Sequence, residues 1–272
     1  MKARQFIEDL DLKGRRVLIR VDFNVPLDEN QKITDNARIV AALPSIRRII
    51  ESGGKCILMS HLGRPKGQRV ESMSLKPAAE ELSLLLEEKV SLAPDCIGSE
   101  VEKMVSQMEE GELLLLENLR FHQGETKNDP QFCEALARLG EVYINDAFGT
   151  AHRAHASTAG VAALMEDRAV GYLIRKELEF LGAAVLDPQK PFTAILGGAK
   201  VSDKIIVIER LMEKVDALII GGGMANTFLK AQGMEIGDSL LEEDALEMAK
   251  DLLDEAKNCG VKIHLPLDVC TC

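Results

Sequence analysis

Basic and small polar side chains gather directly behind the short apolar runs of this sequence. The run at 16–21 (RVLIRV) leads into Asp22-Phe23-Asn24, and the run at 55–59 (KCILM) into Ser60-His61-Leu62-Gly63-Arg64-Pro65. The leucines at 113–116 lead into Glu117-Asn118-Leu119-Arg120-Phe121. The run at 142–144 leads into Asn145-Asp146-Ala147-Phe148-Gly149, with Thr150-Ala151-His152-Arg153 close behind. Arg38 stands just past Thr34-Asp35-Asn36, near the start of the first long helical stretch. If these runs are strands of one parallel sheet, the residues share its carboxyl edge, where such sheets bind ligands. Guanidinium forks match phosphate and carboxylate bidentately. Taken singly, Arg38, Arg64, Arg120 or Arg153 reads as a solvated surface residue. Together with His61, on a chain of formal net charge −11, they read as a site for a small, multiply anionic ligand. Asp22 and Asn24 fit two roles equally: Asx turn formers, or partners of ligand hydroxyls.

The second half carries different strand ends, Gly197-Gly198-Ala199-Lys200 and Gly221-Gly222-Gly223. Glycines there let backbone N–H groups approach a phosphate closely. Lys200 and Lys204, four apart at the opening of a helix, are expected to share a face near its positive end. The combination suits a polyphosphate, though it is neither GxxxxGK[ST] nor GxGxxG. His152 and His155 have no Cys, Asp or Glu at ligand spacing beside them, so no metal site is expected. Cys270 and Cys272 are too few to close a tetrahedral zinc site, and no Gly-x-Ser-x-Gly elbow is present.

These residues need a scaffold. Further apolar runs lie at 193–196, 217–220 and 262–265, and between runs come stripes with helical spacing such as Leu82/Leu85/Leu86 and Phe132/Leu136/Leu139. Two more stripes run through Ile205, Ile208, Leu211, Met212 and Val215, and through Ala245, Met248, Leu252 and Ala256. Strands alternating with amphipathic helices predict α/β architecture, with a mostly parallel sheet covered on both faces. Residues 171–186 break the rhythm as one longer helix that Asp187-Pro188 ends. The expected organisation is a domain at 1–170, a connecting hinge helix at 171–186 and a second domain at 187–272. The 272 residues, 46% hydrophobic and 28% charged, are a globular mix, with no apolar run near the ~20 residues that cross a bilayer. The negative charge argues against nucleic-acid binding. Scattered cysteines and a charged start without an apolar leader predict a cytoplasmic protein.

Six segments make the pattern distinctive: RVDFNVP at 20–26, SHLGRP at 60–65, LLENLRF at 115–121, NDAFGTAHRAHAST at 145–158, LGGAKVSDKI at 196–205 and IIGGGMANTFLK at 219–230. In type and order they resemble the phosphoglycerate kinase family, from the first residues to about Asp268. The resemblance implies two Rossmann-like parallel-sheet α/β domains joined by a helix. It implies a glycolytic, hinge-bending kinase that moves a phosphoryl group between 1,3-bisphosphoglycerate and ADP, giving 3-phosphoglycerate and ATP with Mg²⁺ on the nucleotide. By motif, Asp22, Asn24, Arg38, His61, Arg64, Arg120 and Arg153 match the glycerate-phosphate site. Gly198, Lys204 and Gly222 match part of the nucleotide site, and Arg38 with Lys200 the pair that stabilises the transferring group.

Direct transfer would require the two phosphate sites to meet, with closure excluding water. The family's later motifs are a Gly-Pro-Met-Gly turn, a nucleotide-contacting Glu, and a Gly-Gly-Asp-Ser/Thr loop that binds Mg²⁺. None occurs in these residues, so an incomplete second domain and little turnover from the chain by itself are expected. Full-length relatives are expected to be monomers. The rival reading is a non-catalytic phosphoglycerate- or anion-binding protein, which would bind without nucleotide dependence. A dinucleotide oxidoreductase lacks its glycine fingerprint after the first strand.

Overall fold

The computed structural model describes residues 5–268, so the Cys270–Cys272 pair lies outside the described residues. The chain divides into two compact units, Met1–Glu179 and Phe180–Cys272. The division falls inside the helix Tyr172–Leu186, within the segment expected to connect two domains.

The first unit is built on six parallel strands: β1 (Arg16–Arg20), β2 (Lys55–Met59), β3 (Val90–Leu92), β4 (Leu113–Leu115), β5 (Val142–Asn145) and β6 (Asp167–Val170). Their spatial order is β3-β4-β2-β1-β5-β6. The chain runs outward in one direction from β1 through β2, then in the other through β5, so the order reverses at β1/β5. A crevice opens beyond the strand ends at such a reversal. Alternate strand residues feed two cores. Val17, Ile19, Cys56 and Leu58 pack with Ile39, Ile46 and Ile49 of helix Ala37–Glu51 and Leu82 of helix Lys76–Leu86. Leu18, Ile57 and Met59 pack on the other face with Val101 and Val105 of helix Ser99–Ser106 and Phe132 and Leu136 of helix Pro130–Ala137. Each aliphatic side chain so buried contributes roughly 1.5–3 kcal/mol. Local chemistry sets the ends: Asp129 caps the last of these helices by accepting from Phe132 N at 2.9 Å, with Pro130 opening the helix.

The second unit contains a parallel sheet in the order β7 (Thr193–Gly197), β8 (Ala217–Gly221), β9 (Lys262–His264). Helices Ile205–Met212, Gly223–Ala231 and Leu246–Cys259 bury Ile208, Met224, Phe228 and Leu252 against Leu218 and Ile220. Coverage of both faces, expected from the alternation, does not hold here. Ile195 is 75% exposed and Ile219 39%, because among the described residues of this unit the helices supply the apolar partners of one face only. No helix among the described residues is long and apolar enough to cross a membrane.

Candidate functional site

At the strand ends of the first unit three of the seven expected residues line one cavity, while Asp22, Asn24, Arg38 and His61 are not among its lining residues. Arg64, Arg120 and Arg153 line this cavity of about 530 Å³, together with Lys66, Lys127 and His155. No carboxylate is among its lining residues. A larger cavity, about 680 Å³, opens at the amino ends of β3 and β4 among Glu51, Glu88, Glu110 and Glu112. Its charge and its end of the sheet are wrong for an anion, so the smaller one is the candidate.

Several devices hold the cavity's loops. Asn118, fully buried, donates through Nδ2 to Leu62 O (2.7 Å) and Met73 O (2.8 Å). Buried Glu117 accepts from Ser74 Oγ, Leu75 N and Asn118 N at 2.7–2.8 Å. Arg120 Nη1 donates to Gly63 O at 2.8 Å, and Gly63, at φ +63°, donates its N–H to Asn24 Oδ1 at 2.9 Å. The loop bearing His61 and Arg64 is thus clamped from β1 on one side and β4 on the other. Partial burial, with Arg153, Arg20 and Arg64 nearby, pulls the Arg120 pKa below its ordinary value. Such crowding of cations is unfavourable until an anion arrives.

Behind the cavity sits a buried charge network. Arg20, the last residue of β1, is 1% exposed. Its Nε donates to Ser157 Oγ at 2.9 Å, its Nη2 approaches His61 Nδ1 at 2.9 Å, and its Nη1 donates to Val21 O. Ser157 in turn donates Oγ–H to Glu125 Oε1 at 2.7 Å and N–H to Glu125 Oε2 at 3.0 Å. His155 Nδ1 lies 3.7 Å from the same carboxylate. Arg38 and Asp22 form an ion pair at 2.8 Å, and Gly149 passes so close that an added Cβ would meet Asp22 Oδ2 at 3.3 Å.

In the second unit Gly198 and Gly222 come together. Gly222 has φ +68°, and a Cβ there would lie 3.1 Å from Gly198 N and O, so both φ and space demand glycine. Gly222 precedes helix Gly223–Ala231, whose Met224 N–H donates to Gly198 O at 2.8 Å. The shared helical face expected for Lys200 and Lys204 is not formed, because the helix begins at Ile205 with Lys204 as its N-cap. Lys200 precedes a turn pulled aside by Glu242, which accepts from Val201 N (2.8 Å), Ser202 N (3.1 Å) and Ser202 Oγ.

Magnesium held by this unit's own side chains would need free carboxylates gathered at one place. Both Glu242 oxygens are engaged by the turn, and among the described residues no three Asp, Glu, His or Cys ligands gather in this unit. The described residues of this unit do not fit a protein-held magnesium. One candidate ligand set, Asp95, Cys96 and His122, occurs in the first unit. There Asp95 Oδ1 already accepts from His122 Nε2 (2.7 Å) and Cys96 N (2.6 Å), the arrangement of a loop staple.

The phosphoglycerate kinase family model matches residues 7–272. The phosphoglycerate kinase of Chlorobaculum tepidum is 57% identical over 98% of this chain and 67% of its own, and that of an Anaeromyxobacter strain is 58% identical over 98% and 68%. The structure of phosphoglycerate kinase from Coxiella burnetii superposes with a TM-score of 0.86 at 44% identity, covering 98% of this chain and 67% of that one. This chain belongs to the phosphoglycerate kinase family. It spans about two thirds of the length of these relatives. Family members by these names are phosphotransferases acting on a phosphoglycerate, the ligand type that a carboxylate-free, arginine-lined cavity suits. Three residues around the kinase crevice escaped the sequence reading: Arg20, Glu125 and Ser157. Arg20 had a signal, a charge set between Ile19 and Val21 in an apolar run, which is rare unless the charge is held by partners. Glu125 and Ser157 had none, since only the fold brings them together.

Proposed function

We propose that the first unit binds 3-phosphoglycerate or 1,3-bisphosphoglycerate, and that the Gly198/Gly222 region of the second binds ADP or ATP. Arg64, Arg120 and Arg153 hold the non-migrating phosphate as bidentate donors, with His61 beside them. Asn24 spends Oδ1 on Gly63 N and keeps its Nδ2 for the glycerate, while Asp22 holds Arg38. In the forward direction a β-phosphate oxygen of ADP attacks the acyl phosphorus. The P–O bond to the carboxyl breaks, and the carboxylate leaves with the electron pair. The transition state is loose, with charge on the equatorial oxygens, so catalysis consists of positioning and cationic stabilisation. Arg38 is the cation the first unit offers to that group, and Lys200 the one the second unit offers. Neither acts as a base, and no covalent enzyme intermediate is needed. Magnesium enters with the nucleotide as part of the substrate. The setting is the cytoplasm, and the partners are small molecules.

The observation that carries this reading is the cavity lined by Arg64, Arg120 and Arg153 without a carboxylate. The names of the relatives favour the transferase over a non-catalytic anion-binding protein. Incubation with ATP, magnesium and 3-phosphoglycerate, trapping acyl phosphate with hydroxylamine, separates the two. Hydroxamate that requires both substrates and is lost in Lys200→Ala supports the kinase. Phosphoglycerate binding by a chain that binds neither ADP nor ATP supports the anion-binding protein instead.

A further inference from the structure

An arginine has only hydrogens to offer, so the contact between Arg20 Nη2 and His61 Nδ1 at 2.9 Å has one direction. Nδ1 must accept, and the ring proton of neutral His61 must sit on Nε2. Among the described residues no partner takes Nε2. We propose that Arg20 is a positioning residue that fixes His61 in its Nε2–H form, locked for that task by Ser157 and Glu125, so that His61 meets the anionic substrate as a hydrogen-bond donor. The inference deepens the proposed phosphoglycerate site and rests on that reading for the identity of the ligand.

The lock follows from the donor count. Arg20 is fully buried, yet no carboxylate touches it directly. Its Nε–H points to Ser157 Oγ, whose own proton points to Glu125 Oε1, so Ser157 relays the compensating charge. Glu125 also takes Ser157 N–H, leaving the serine one orientation. The guanidinium plane is therefore fixed, and Nη2 is aimed at the imidazole. An unanchored guanidinium could swivel and release the tautomer.

Protonation of His61 would destroy the arrangement, because two donors would face each other across Nδ1. The groups facing the ring all oppose it: Arg20 from β1, Arg120 from the turn after β4, and Arg153 and His155 from the loop after β5. Burial and these neighbours push the His61 pKa down to about 2. His61 thus offers a donor that does not switch off as pH rises, at no cost of adding a charge to a crowded site.

The test reads the ring directly. In protein labelled with ¹⁵N-histidine, long-range ¹⁵N–¹H spectra should show His61 with bare Nδ1 and protonated Nε2, unchanged from about pH 5.5 to 8.5, against an ordinary His pKa near 6.5. Ser157→Ala should restore a tautomer mixture or a titration in that window. A merely structural serine would lower the melting temperature and leave the ring signals alone. Calorimetry with 3-phosphoglycerate adds a second arm. His61→Gln, whose Oε1 can accept from Arg20 while Nε2–H₂ donates, should bind within a few-fold of the parent; His61→Ala should lose about tenfold, equivalent to ~1.4 kcal/mol. An Nδ1–H ring, a doubly protonated ring near pH 7, or ring signals indifferent to both Ser157→Ala and Arg20→Met would overturn the inference. Failure of the parent protein to bind 3-phosphoglycerate while the ring signals behave as stated would instead overturn the ligand assignment.

Discussion

Arg38 Nη1 donates to Asp22 Oδ2 at 2.8 Å, an ion pair joining the start of helix Ala37–Glu51 to the turn after β1. Its two side chains are 51% and 17% exposed, so it adds little to stability, less than about 1 kcal/mol. Its value is directional, since it holds a long cationic side chain at the strand ends. Asp22→Ala should therefore leave the melting temperature within a degree or two while weakening 3-phosphoglycerate binding several-fold. A loss of stability with unchanged affinity would mean that the pair is structural.

Asn118 predicts the opposite balance. Asn118→Ala removes both donors that clamp Leu62 O, in the loop after β2, and Met73 O, in the turn Glu71–Met73, leaving two carbonyls unpaired. The cost should be about 2–6 kcal/mol in chemical denaturation, at roughly 1–3 kcal/mol for each unpaired group. Phosphoglycerate affinity should fall with it, because the loop after β2 carries His61 and Arg64.

Asp146 gives stability an unusual pH dependence. It is fully buried, and its Oδ1 caps helix Tyr172–Leu186 by accepting from Leu173 N (2.9 Å) and Ile174 N (3.3 Å), while Oδ2 has no hydrogen-bond partner among the described residues. Burial raises its pKa above the ordinary carboxylate value. A raised folded-state pKa means that its stabilising contribution is complete below the unfolded value and is lost as pH rises through the folded value. Asp146→Asn keeps an accepting oxygen and should flatten that decline, whereas Asp146→Ala should cost about 1–2 kcal/mol as a lost cap. Denaturation midpoints across the acidic to neutral range distinguish them.

Glu242 carries the opposite sign. Hydrogen bonds from Ser202 Oγ, Ser202 N and Val201 N hold its pKa below the ordinary value. Its contribution is present above the usual carboxylate range and is lost as pH falls through the depressed value. Glu242→Ala should loosen the turn behind Lys200 and weaken ADP binding several-fold in a fluorescence titration. Phosphoglycerate affinity, which belongs to the first unit, should not change.

The strands that carry the site were legible because each is a continuous apolar run flanked by polar residues. β3 (Val90–Leu92) and β6 (Asp167–Val170) were not, because each is a short edge strand with half-exposed, partly polar residues and no apolar run to mark it. Arg38, Arg64, Arg120 and Arg153 were legible by type and position. Whether Asp22 and Asn24 form turns or bind ligand was not, since that depends on Arg38 and Gly63 arriving from other elements. The common face expected for Lys200 and Lys204 failed for a related reason. Spacing implies a helix from Lys200, but Glu242, far away in sequence, holds residues 201–202 in a turn and delays the helix to Ile205.

The most direct test of the central claim is a calorimetric titration with 3-phosphoglycerate, run beside Arg64→Ala. Arg64 is exposed and makes no hydrogen bond or ion pair to another described residue, so its removal leaves the fold intact and reports on the ligand alone. Saturable binding that weakens about tenfold or more in the variant, ~1.4 kcal/mol, is the predicted result. Absence of binding by a folded chain, or equal affinity in the two proteins, would contradict the claim that the arginines at the strand ends converge on a phosphorylated glycerate.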